Sequence, residues 1–155
     1  MEIHVIAHCL LNSLTRVKGI RHPEPYNTEN KKIIQLPCPE IIYFGIDRLK
    51  NTKDKMDTPD FRQFCRELFL PYADMIEMFA KDGHTVIIAG VSNSPSCAAP
   101  AVFSDSAVCD SQAACAGGES CQSVSLKDGA EEEKGIFIEE IEAELNRRRV
   151  LFCFV

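Results

Sequence analysis

The sequence predicts a single α/β domain built on a Rossmann-like, mostly parallel sheet with helices on both faces. Three observations predict it. The run Thr-Val-Ile-Ile-Ala at residues 85–89 is nearly all apolar and unbroken, as a strand covered on both faces of a parallel sheet requires. Two shorter apolar runs, at 3–7 and 33–36, are separated from it by a long stretch of helical periodicity, and strands that alternate with helices imply parallel pairing. The 155 residues, 45% of them hydrophobic and 26% charged, amount to one domain of ordinary globular composition.

Taken in order, residues 3–7 alternate and lead with β-branched types, so they read as a first strand ending at His8 and Cys9. Residues 33–36 form a second, stopped by Pro37-Cys38-Pro39 because proline cannot donate to a ladder. Asp57, Thr58 and Pro59 supply a cap and an early proline. Apolar residues then recur at Phe61, Phe64, Cys65, Leu68, Phe69, Tyr72, Ile76, Phe79 and Ala80. This is an amphipathic helix, expected to kink near Pro71 and to close at Gly83. The strand at 85–89 runs into Gly90-Val-Ser-Asn-Ser-Pro-Ser-Cys97. From 101 to 133 the chain turns to Ala, Ser, Gly and acidic residues with few large apolar anchors, which predicts a mobile, low-complexity insertion. Gly135 opens a second amphipathic helix through Ile136, Phe137, Ile138, Ile141 and Leu145, and Arg147, Arg148 and Arg149 suit the negative end of its dipole. Residues 150–155 make a last strand. No internal repeat and no second domain is expected.

Composition narrows the function. No apolar run approaches the roughly 20 residues of a bilayer span, and the N-terminal residues lack the basic flank and cleavage site of a signal peptide. A cytoplasmic location without membrane partners is expected. Seventeen basic residues against 23 acidic leave a net charge of −6. With no basic stripe interleaved with aromatics, duplex nucleic acid is an unsuitable partner, whereas a small base-like ligand remains compatible. A homodimer stays open.

The chain carries 8 cysteines. Without an export signal such a count points to metal or redox chemistry rather than disulfides. Cys9, Cys38 and Cys97 each fall within a few residues after an expected parallel strand, and ligands of such sheets bind beyond the carboxyl ends of the strands. Thiolate is the preferred ligand of iron-sulfur clusters. Three thiolates on a [4Fe-4S] cluster leave one iron without a protein ligand, and an open metal position is what makes a site catalytic. A zinc site is the alternative. The bland reading is three buried cysteines acting as small hydrophobes, which their polar, turn-forming loops disfavour. Cys65 and Cys153 read as core residues. Cys109, Cys115 and Cys121 are evenly spaced in the low-complexity segment and match no ligand motif.

The loops His8-Cys-Leu-Leu-Asn12 with Arg16 and Gly19, Pro37-Cys-Pro-Glu40 and Ser94-Pro-Ser-Cys97 together resemble the TudS-type iron-sulfur thiouracil desulfidases, and more closely a branch of TudS-related desulfidases. The resemblance covers most of residues 1–100 and resumes weakly at 135–145. It implies that Cys9, Cys38 and Cys97 hold a four-iron cluster whose unligated iron takes sulfur from a thiolated base, and that Glu40 and Ser94 occupy catalytic positions. The thiouracil branch carries glycine where Asn12 and Ala98 stand here, and a Tyr-Asp-Gly where Val17-Lys18-Gly19 stands. The cluster ligands survive these departures; thiouracil as the substrate does not follow.

Read from chemistry, desulfidation needs a soft Lewis acid for sulfur and a group that handles the protons of the replacing water. Glu40 suits the second task, its bland role being to cap the following helix. Ser94 and Ser96 are placed to orient substrate or to donate to sulfur, and His8, Asn12 and Arg16 flank Cys9 where substrate would lie. A cysteine-phosphatase loop is disfavoured, because the span from Cys9 to Arg16 is one residue too long and lacks glycine. An electron carrier or redox sensor is the non-enzyme alternative, and it would close its cluster with a fourth protein ligand.

Overall fold

The computed structural model describes residues 1–20, 24–100 and 133–155. The expected mobile insertion, apart from Glu133, lies outside these residues, as do Cys109, Cys115 and Cys121. Four strands, β1 (Glu2–Ile6), β2 (Lys32–Gln35), β3 (Thr85–Ala89) and β4 (Phe152–Phe154), form one sheet in the order β2-β1-β3-β4. Every pairing is parallel. Val5 sits level with Ile34 and Ile88, and Ala7 extends the ladder by donating to the Ala89 carbonyl. The chain leaves β1 for one side and returns to the other, so the winding reverses between β1 and β3. Such a reversal opens a crevice at the carboxyl ends of those strands.

Between β1 and β2 lie a one-turn helix α1 (His8–Leu11) and a 3-10 turn at Ser13–Thr15. Between β2 and β3 come α2 (Pro39–Phe44), α3 (Lys53–Met56) and α4 (Pro59–Lys81), and α5 (Ile136–Arg147) precedes β4. The Thr58 side chain accepts from the Phe61 amide and Pro59 starts α4, so the expected cap is formed. The helix continues through Pro71, whose missing N–H falls on an exposed face. Its apolar stripe buries Phe61, Cys65, Phe69, Ala73 and Ile76.

Period-2 alternation sends Ile3, Val5, Ile34, Leu36, Val86 and Ile88 to one face of the sheet, where they share a core with those residues and with Phe137, Ile138, Ile141 and Leu145 of α5. The two long helices share that face and run in the same direction. Arg62 near the start of α4 bonds Glu139 and Glu140 near the start of α5, and Arg148 at the end of α5 reaches Asp74 and Glu77 farther along α4. On the other face His4 Nδ1 meets the Tyr26 hydroxyl at 2.8 Å. Among the described residues no helix is long and apolar enough to cross a membrane.

Candidate functional site

The sheet brings three loops to its carboxyl edge, and each carries one of the expected cysteines. Cys9 is half-buried in α1 directly after β1, Cys38 is the N-cap residue of α2 after β2, and Cys97 ends the turn after β3. Cys38 and Cys97 are 8% and 6% exposed, so both thiols face inward. The three are close enough to act on one another electrostatically. Ionised Cys9 raises the pKa of Cys38, and Cys9 and Cys38 both raise that of Cys97.

The Cys97 loop is held by backbone bonds. Val91 N–H donates to the Cys97 carbonyl at 2.8 Å, and the first amides of α5 use the loop as their cap: Ile136 donates to Pro95 O, and Phe137 and Ile138 to Ser96 O. Carbonyls thus replace the side-chain cap that Gly135 cannot supply. Glycine is needed there for another reason. A β-carbon on Gly135 would overlap the carbonyl group of Ser96 and stand 2.5 Å from the Cys97 amide nitrogen. On Gly90 it would stand 2.5 Å from both the Cys97 carbonyl oxygen and the Ala99 β-carbon. Both ends of the loop are packed backbone against backbone.

Burial is the main cause of raised pKa at all three thiols, and most strongly at Cys97. For Cys9 the Arg16 guanidinium works the other way, with Nη1 4.0 Å from the sulfur. A thiol that binds a metal loses its proton on doing so. Among the described residues no group of three or more His, Cys, Asp or Glu side chains is arranged to hold a single metal ion. Cys9, Cys38 and Cys97, one on each loop, are the thiols through which these strand ends could bind a metal centre.

Glu40 lies in the first turn of α2. Rather than cap that helix, its carboxylate accepts from Ser96 Oγ at 2.5 Å and from Arg48 Nε at 3.1 Å. Arg48 Nη2 donates to the Thr15 carbonyl at 3.0 Å. Ser96, 1% exposed, stands 3.4 Å from the half-buried Ser94 hydroxyl and 3.4 Å from Cys97 Sγ. The Ser94 hydroxyl also accepts from the Cys97 amide at 3.1 Å. Glu40, Ser96 and Ser94 therefore form a line of oxygens from the interior towards the surface. Ser96 is its enclosed middle member, not an outward-facing contact.

The remaining expected residues scatter. His8 pairs with the Gln35 amide at 2.6 Å and lines an open groove of ≈ 430 Å³ with Pro37, Cys38, Ile42 and Tyr72. Asn12 is exposed, and its side-chain oxygen accepts from Leu14 N–H to cap the 3-10 turn. Cys65 is a core residue as expected, its thiol pushed up to about 12 by burial. Cys153 is only half-buried, because its strand is short and lies at the sheet edge. Arg48 was not legible beforehand. The only available signal was a basic residue closing a largely apolar tract ten positions after Cys38.

No family profile and no solved structure matches this chain. It is similar to the uncharacterized protein MJ0003 of Methanocaldococcus jannaschii, with 37% identity over 104 residues, or 62% of this chain and 67% of the relative. The chain belongs to the same family as that archaeal protein.

Proposed function

We propose that this protein is a desulfidase that removes sulfur from a small, nucleobase-like thiolated compound, using a [4Fe-4S] cluster held by Cys9, Cys38 and Cys97. The observation that carries this reading is the gathering of three cysteines, two buried and one half-buried, at the strand ends where the winding of the sheet reverses. Bound there, the cluster supplies a soft iron centre free of protein ligands, suited to sulfur. The overall change converts a thiocarbonyl and water into a carbonyl and hydrogen sulfide: a C–O bond forms, the C–S bond breaks, and both protons of water leave with sulfur.

The chain's own residues have three tasks. The groove lined by His8, Cys38 and Tyr72 has room for a single heterocycle. Ser94, at the outer end of the oxygen line, orients the incoming water. One of its protons passes by way of Ser96 to the carboxylate of Glu40, which Arg48 and Ser96 hold in place, and returns from there to the departing sulfur.

Anaerobic reconstitution, iron and sulfide counting, and a sulfide-release assay over a panel of thiolated bases test this reading. About four irons per chain and release of sulfide from at least one base are expected. A reconstituted protein that releases none, yet cycles reversibly between redox states, would be an electron carrier.

A further inference from the structure

Arg48 enters the chemistry described so far only by holding Glu40, yet its hydrogen bonds reach two of the three loops directly and the third through Glu40. Its side chain is 7% exposed. Nη2 holds the Thr15 carbonyl in the loop after β1, and Nε holds Glu40 in the loop after β2. Through Glu40 the chain of bonds continues to Ser96, the residue before Cys97 in the loop after β3. One guanidinium thus ties together the three segments that carry Cys9, Cys38 and Cys97. Nη1 is buried and has no hydrogen-bond partner among the described residues. A buried cationic donor left unpaired is costly, and such groups are rare unless something binds them. The guanidinium lies within electrostatic reach of the Cys38 thiol.

We infer that Arg48 is the positioning residue of the three-cysteine site: two of its nitrogens assemble the loops before any metal arrives, and Nη1 is kept for the negatively charged group that the thiolates hold. The clamp stands on hydrogen bonds within the chain alone. The role of Nη1 rests on the cluster reading above. Arginine is needed because a lysine has no planar fork with which to engage Glu40 and the Thr15 carbonyl together.

Hydrogen exchange of the metal-free chain tests the clamp without any cluster. Arg48→Gln should speed exchange at the Val91 and Cys97 amides, which are bonded within the Cys97 loop, by about tenfold or more, while Ile88 in β3 keeps its wild-type rate. Arg48→Lys should do the same, and Ser96→Ala, which cuts the chain of bonds at its far end, should match it. Unchanged exchange at Val91 and Cys97 in both Arg48 variants overturns the clamp. If Arg48→Gln fails to fold, as equal acceleration at Ile88 would reveal, Arg48→Lys and Ser96→Ala decide the question.

The midpoint potential of reconstituted protein tests Nη1. Loss of a positive charge and an N–H donor disfavours the more negative reduced state, so Arg48→Gln should lower the potential. A tenfold shift in the reduction equilibrium corresponds to about 59 mV for one electron. Arg48→Lys, which keeps the charge, should move it less. An unmoved potential in Arg48→Gln overturns the role of Nη1. A wild type that takes up no cluster overturns the proposed function, and the exchange measurement still judges the clamp.

Discussion

Glu40 accepts from two donors of different kind, a guanidinium and a hydroxyl, and this makes glutamine the informative replacement. A glutamine can turn its carbonyl oxygen to Arg48 and its amide N–H to the Ser96 oxygen, which accepts as readily as it donates. Glu40→Gln should therefore leave folding and cluster absorbance intact while sulfide release falls by about 10²-fold or more, the usual loss for a removed acid-base group. Absorbance that falls in step with activity would assign Glu40 to assembly alone. Glu40 was legible beforehand because it sits two residues after a cysteine in a motif. Its partner was not, because Arg48 lies in a loop without periodicity, where an arginine looks like any solvated charge.

At the scale of elements, the long helix and the central strand were readable because each repeats its period several times, and α4 starts at the expected cap. The single turns α1 and α3 are shorter than the pattern that would announce them. What the sequence concealed was the way α5 closes the Cys97 loop, a contact between backbones that leaves only a glycine as its trace. Gly135→Ala should cost about 1–3 kcal/mol, because the new methyl meets a carbonyl group that cannot move without releasing the cap of α5. Urea unfolding measures it, and a loss below a few tenths of a kcal/mol would mean that the loop yields easily.

The far end of the same helix pair depends on pH. Arg147 and Arg148 hold Glu144 well below its ordinary 4.5, at about 2. A carboxyl whose folded pKa is depressed adds stability that is complete above its unfolded pKa and disappears as pH falls through the folded one. Stability should decline between about pH 4.5 and about 2, and Glu144→Gln should flatten part of that decline. Glu77, Glu139 and Asp57, lowered by their own basic partners, keep the remainder. Urea midpoints that fall equally steeply in the variant would remove Glu144 from the account.

For the whole molecule the decisive feature is the strand order, since β2-β1-β3-β4 puts the carboxyl ends of three neighbouring strands side by side. Residues far apart in sequence then belong to one site only if the sheet is parallel throughout and the reversal falls at β1 and β3, as it does here. If Cys9, Cys38 and Cys97 are three corners of one cluster site, each should be needed to a similar degree. Cys9→Ser, Cys38→Ser and Cys97→Ser should each reduce iron retained after anaerobic reconstitution and desalting to a small fraction of wild type. Any pair combined should lose little more than the worse single change, because residues that act as a unit are not additive. Cys65→Ala is the control. That thiol is fully buried, but it lies on α4 in the core, and its loss should cost stability through a small cavity without affecting iron content. Independent, additive losses across the three loops, or iron that follows Cys65 instead, would show that the strand ends gather these cysteines without making them one site.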